Sequence, residues 1–116
     1  MSHVSPAMQK CIQECSACHH FCLSMVHHCL TKGGPHAEPD HVRLMQDCAQ
    51  ICQVSADFMS RGSPHHPHLC RECAEICGQC ADDCRRLADD AEMRRCADAC
   101  QRCADSCREM AAAMAH

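Results

Sequence analysis

At 116 residues the chain has the length of one small domain, and its formal net charge of −4 argues against nucleic acid as a partner. Trp and Tyr do not occur and Phe is found only at Phe21 and Phe58, which excludes an aromatic platform for bases or flat cofactors. The departure from ordinary composition is sixteen cysteines, joined by eleven His and eight Met, all soft or borderline metal ligands.

The opening MSHVSPAMQKC lacks a basic stretch followed by an apolar run, so no signal peptide is expected. No apolar run approaches the roughly 20 residues of a membrane span. The expected compartment is therefore the cytoplasm, where thiols stay reduced and many cysteines suggest metal rather than disulfides. The first helix is expected at about residues 6–31, with Met8, Cys11, Cys15, Cys18, Cys22, Met25 and Cys29 recurring at steps of three and four. That recurrence fills both apolar positions of a heptad with sulfur. Ile12, Leu23, Val26 and Leu30 form a further stripe. Gly33, Gly34 and Pro35 stop this helix, and Asp40 is expected to cap the next, at about 40–61.

The second helix is poorer in sulfur. Its seam reads His41, Met45, Cys48, Cys52, Ser55 and Met59, while Leu44, Ile51 and Phe58 lie one heptad apart as a second stripe. Such stripes either complete the internal packing or form a subunit interface. Gly62, Pro64 and Pro67 mark the next corner. From there to the end neither Gly nor Pro supplies a clear break, and helical phase must supply it. Cys70, Cys73, Cys77, Cys80 and Cys84 make one seam; Met93, Cys96, Cys100, Cys103, Cys107, Met110 and Met114 make another. At 100° per residue the step from Cys84 to Cys96 sets the two seams about 120° apart. A turn near Ala88 to Ala91 realigns them, with Asp89 or Asp90 capping a fourth helix. Helices are thus expected at about 66–88 and 91–115.

Four helices joined by short connections make an all-α, antiparallel up-down-up-down bundle in one domain spanning residues 1–116. Asp82, Asp83, Arg85, Arg86, Arg94, Arg95, Asp98, Arg102, Asp105 and Arg108 fall off the seams and read as a solvated face. Every cysteine, by contrast, falls on a seam. Two thiolates at i, i+3 or i, i+4 can approach one soft ion from a single helix, and facing seams offer further ligands. Charge then separates the metals. One Cu(I) per thiolate leaves a neutral core, whereas Zn²⁺ in four thiolates leaves −2 at each site, which a dry core resists. Zinc buffering or sequestration stays as the rival reading. Packing without function, a disulfide scaffold, iron–sulfur ligation and a CxxC redox centre fit the whole array less well.

The stretches CIQECSACHHFC, HAEPDH, DCAQIC, CRECAEICGQCADDC and CADACQRCADSC carry a resemblance that spans nearly all of the chain. It resembles the cytosolic copper storage proteins, a family of cysteine-lined four-helix bundles. The resemblance implies storage of many Cu(I) ions along the interior, metal binding at all sixteen cysteines, tetrameric assembly and no catalysis. Copper donor or acceptor proteins would be its partners. Met45, Ser55 and Met59, on the thinly sulfured second helix, depart from a fully cysteine-lined pattern. His41 and Met45 are added to the candidate ligands because they continue that seam toward one end of the bundle. That end gathers Met25, His27, His28, Cys29, His36, His41, Met45 and Met93, while the other gathers Met8, Met59, His65, His66, His68, Met110 and Met114. Imidazole and thioether bind Cu(I) more weakly than thiolate and suit positions of entry, expected at the His36/His41 end.

Overall fold

The computed structural model describes residues 4–113. Helix α1 runs Pro6–Lys32, α2 Pro39–Ser60, α3 His66–Arg85 and α4 Ala91–Ala113, with a 3-10 turn at Gly34–Ala37 between the first two. α1 lies beside α2 and α4, and α3 beside α4 and α2, so α1 faces α3 and α2 faces α4 across the diagonals. The molecule is a rod of 48 × 21 × 21 Å. A helix of 27 residues, the length of α1, is about 40 Å long, so single helices set the length of the rod.

Local chemistry fixes the helix ends. Ser5 caps α1, its hydroxyl accepting from the Met8 N–H at 3.1 Å, with Pro6 in the first turn where a missing N–H is harmless. α2 ends in paired bonds, Gly62 N–H to Met59 C=O at 3.1 Å and Ser63 N–H to Phe58 C=O at 3.0 Å. These close the helix only because Gly62 adopts φ +67°. Asp40 does not cap α2. The helix starts at Pro39, whose ring presets the helical φ, and Asp40 instead pairs with Arg43 at 2.8 Å.

α3 also stops earlier than the phase argument places it, at Arg85 rather than residue 88. Arg86 N–H turns back to Asp83 C=O at 3.1 Å and Leu87 N–H to Cys84 C=O at 3.0 Å, tightening the last turn. Of the two candidate caps it is Asp90 that serves, its Oδ1 accepting from the Glu92 N–H at 2.9 Å. The chain reverses there, and α3 and α4 are separate helices packed side by side.

Buried alanines flank the seams at heptad spacing: Ala74 and Ala81 on α3, Ala97, Ala104 and Ala111 on α4, and Ala49 and Ala56 on α2. Small side chains let the backbones approach, and α3 and α4 make the most extensive helix contact in the bundle. Ile12, Phe21, Val26, Leu44, Ile51 and Ile76 pack half-buried against the outside of the core, while Leu23 and Leu30 are exposed. Arg85–Asp82, Arg95–Glu92 and Arg108–Asp105 form i, i+3 ion pairs on the solvent side. Exposed pairs of this kind contribute little to stability. None of the described helices is long and apolar enough to cross a membrane.

Candidate metal-binding core

All sixteen cysteines are free and have no solvent exposure. Helical spacing turns each seam inward, and the antiparallel arrangement sets sulfurs from neighbouring helices level with one another. Cys11 Sγ lies 3.6 Å from Cys107 Sγ, and Cys107 3.5 Å from Cys15. Cys103 is 3.6 Å from Cys15, 3.6 Å from Cys52 and 3.7 Å from Cys77. Cys48 lies 3.5 Å from Cys77, 3.7 Å from Cys18 and 3.9 Å from Cys100, and Cys22 is 3.7 Å from Cys100. Beyond them Cys84 and Cys96 approach to 3.9 Å. A disulfide bond is about 2.05 Å long, so these are thiol contacts.

The sulfurs fall into overlapping groups whose atoms all lie within 4.8 Å of one another: Cys11, Cys70 and Cys107; Cys15, Cys73, Cys103 and Cys107; Cys52, Cys73, Cys77 and Cys103; Cys18, Cys48, Cys52 and Cys77; and Cys18, Cys22, Cys48 and Cys100. With a metal–sulfur distance of about 2.3 Å, sulfurs around one ion stand about 3.8 Å apart in a tetrahedron and about 4.0 Å apart in a triangle. The observed spacings meet both without rearrangement. Distance therefore admits either a tetrahedral or a trigonal ion, and charge must choose between them. A Zn²⁺ with four thiolates of its own leaves −2 at its site, which a dry interior resists, whereas one Cu(I) per thiolate leaves no net charge.

Shared hydrogen bonds drive the thiols apart in acidity. Cys18 is held well below the ordinary thiol value by its hydrogen bonding with Cys100, then with Cys103, Cys22 and Cys48. Cys52 is held well above it by its bond with Cys103, then by Cys15, Cys18 and Cys48. Cys29 stands outside the tight clusters and is pushed up to about 11, by burial first and then by Cys96 and Asp90. Burial itself favours the protonated, neutral thiol throughout this core, and a metal enters it by replacing protons.

His41 and Met45 are both buried on the α2 seam. His41 Nε2 lies 3.4 Å from Cys29 Sγ, and Cys29 lies 3.5 Å from the Met93 thioether. On its other side His41 Nδ1–H donates to Asp83 Oδ2 at 2.5 Å, and Asp83 is in turn paired with Arg86. That bond fixes the tautomer and aims the Nε2 lone pair at the sulfur column, as carboxylates do behind metal-bound imidazoles. Asp83 was expected on a solvated face. A carboxylate in the last turn of a helix opposes the dipole, and that is the sequence signal that it needs a partner.

The remaining His residues divide. His28 Nε2–H and His36 Nε2–H both donate to Asp90 Oδ2, at 2.7 and 3.1 Å, and so clamp the first corner to the α3–α4 turn instead of reaching the core. His27, His65 and His68 are exposed, whereas His66 is buried. Met8, Met25, Met59, Met93 and Met110 are buried; Met114 lies outside the described residues.

A rod of four antiparallel helices enclosing a continuous column of free thiols defines a class of protein in which the core itself is the ligand set. The chain belongs to the copper storage protein family, whose model matches residues 4–112. It is similar to a protein of Nitrosospira multiformis of known structure, with 47% identity, TM-score 0.87 and coverage of 92% of this chain and 96% of that one. The Cu(I)-bound copper storage protein 3 of Bacillus subtilis matches with 33% identity and TM-score 0.84 over 90% of this chain and 98% of that one. A cytosolic copper storage protein of Streptomyces lividans carrying five coppers matches with 32% identity and TM-score 0.80 over 91% and 92%.

Proposed function

We propose that this chain is a store for Cu(I), holding many ions on the thiolates of Cys11, Cys15, Cys18, Cys22, Cys29, Cys48, Cys52, Cys70, Cys73, Cys77, Cys80, Cys84, Cys96, Cys100, Cys103 and Cys107. The observation that carries this reading is the unbroken series of overlapping sulfur groups, which supplies ligands at metal spacing along the rod. Electroneutrality favours about one Cu(I) per thiolate over one Zn²⁺ per four. His41 and Met45 act as weaker ligands at the α1–α2 end, receiving or releasing ions beside Cys29. The protein performs no catalysis, works in the cytoplasm as the Streptomyces relative is described to do, assembles as a homotetramer, and exchanges copper with donor and acceptor proteins. The family resemblance supports each of these.

The test is a titration of the reduced protein with Cu(I) against a competing chelator. Many tightly held equivalents, approaching the number of thiols, are expected, with free-thiol reactivity falling in proportion. Saturation at one or two equivalents rejects the store. If Zn²⁺ protects all thiols and displaces Cu(I) at equal free concentration, a zinc buffer replaces it.

A further inference from the structure

The α2–α3 end of the rod closes on donors that the thiol column does not use. His66 stands four residues before Cys70 on the α3 seam, so its ring shares the inner face of the helix. It is 5% exposed, while His65 and His68 on either side are open to solvent. Its Nδ1 lies 2.8 Å from the Ser63 carbonyl oxygen. A carbonyl only accepts, so the ring proton sits on Nδ1 and Nε2 presents a lone pair. That Nε2 is buried and has no hydrogen-bond partner among the described residues, where it is the sole side-chain nitrogen or oxygen in that condition. Such a group is unfavourable unless something binds it.

Three thioethers share the level. Met8 lies three residues before Cys11 and Met110 three residues after Cys107, and the sulfurs of Cys11, Cys70 and Cys107 already converge. Ser55 Oγ donates to the Leu69 carbonyl at 3.2 Å, so Met59, one turn further along α2, comes level with the start of α3. Met8, Met59 and Met110 are 8%, 0% and 6% exposed. Each helix thereby contributes one uncharged soft donor to a single terminal layer.

We propose that this layer is a distinct Cu(I) site, headed by His66 Nε2 and backed by the thioethers of Met8, Met59 and Met110 beside the outermost cysteines. Thioether and imidazole suit a soft monovalent ion and offer nothing to a hard divalent one. Being weaker donors than thiolate, they fill after the column and empty before it. The inference rests on the Cu(I) store proposed above and extends it to the opposite end from His41.

The experiment uses the full chain, reduced and labelled with 15N-histidine, titrated with Cu(I) released from a buffered chelator complex. Late equivalents are expected to shift the His66 Nε2 resonance out of the free lone-pair range while Nδ1 keeps its proton. His66→Ala is expected to lower the final load by about one equivalent, read by metal analysis. A full multi-ion load with His66 Nε2 unmoved overturns the site and leaves the store standing. An unreduced load in a folded His66→Ala does the same. Saturation at one or two equivalents overturns the store itself. Because the resonance is read in the unaltered chain, the result stands even where the variant does not fold.

Discussion

His41 carries two relations at once. Nε2 faces Cys29, and Nδ1–H is spent on Asp83. Removing Asp83 leaves a buried N–H unpaired, an effect of about 1–3 kcal/mol, whereas a neighbouring surface carboxylate is worth under about 0.5 kcal/mol. Asp83→Ala should therefore lower the urea midpoint of the reduced, metal-free protein clearly, and Asp82→Ala, whose carboxylate is exposed and paired only with Arg85, should barely move it. Equal effects would show that Asp83 does no more than pair with Arg86 at the surface. The seam positions were legible at this scale because thiols repeat at three and four, and burial follows from that period. Asp83 was not, since it lies next to Cys84 and off the seam, and only the lean of α3 against α2 brings its carboxylate to a histidine. Topology alone groups His66 with the other His of its corner, and burial separates it from them.

The helices and their corners behave differently under substitution by alanine. Gly62 closes α2 at φ +67°, and a Cβ there meets nothing within 4 Å, so any loss comes from the backbone alone. Gly62→Ala should destabilise by about 1 kcal/mol. Gly78 lies inside α3 with equally open surroundings, and Gly78→Ala should stabilise by about 0.5–1 kcal/mol. Opposite signs in denaturant unfolding are expected, and equal signs would refute the account of the Gly62 corner. Punctuation by Gly and Pro made the first two corners readable. The third rests on helical phase, which gives a needed rotation but not where the last turn tightens, and so the expected α3 is three residues too long.

Asp90 adds a pH dependence to that third corner. The hydrogen bond from His28, helped by Lys32 and His36, holds its carboxyl below the ordinary value. A group whose folded value is depressed stabilises fully above its unfolded value, near 4, and the contribution disappears as pH falls through the folded value. The metal-free protein should lose stability below about pH 4, and Asp90→Ala should flatten that acid limb while losing about 1 kcal/mol of capping at neutral pH. Midpoints in urea across pH check both.

For the molecule as a whole, neutral thiols can build the core before any ion arrives. The reduced, metal-free chain should already be helical by far-ultraviolet dichroism, unlike a zinc finger, which needs its metal to fold. Copper then raises the melting temperature by mass action, about 2.7 kcal/mol for a single site at one hundred times its dissociation constant. A chelator that strips the ions should return the original midpoint. A chain that is disordered without metal and folds on adding it would contradict the packed thiol core. The fold class was visible in the sequence for the same reason that the chemistry was: one periodicity wrote both. The heptad alanines on α3 and α4 are not legible in the sequence because alanine is common on every face of a helix, and only packing shows which ones set the spacing.

The thiol contacts also have a kinetic meaning. From Cys11 one can step to Cys107, Cys15, Cys103, Cys77, Cys48, Cys100 and Cys22 in hops of 3.6, 3.5, 3.6, 3.7, 3.5, 3.9 and 3.7 Å. An ion walking this path can grip the next sulfur before letting go of the last, so it never crosses a gap as a bare cation. Migration inside the rod is then a sequence of ligand swaps, while escape requires full detachment at an end. Residence on any one thiol is then expected to be short against residence in the protein. At partial load the ions should behave as a mobile population shared among neighbouring sulfurs, like beads on a wire, with cysteine signals averaged rather than split into filled and empty sets.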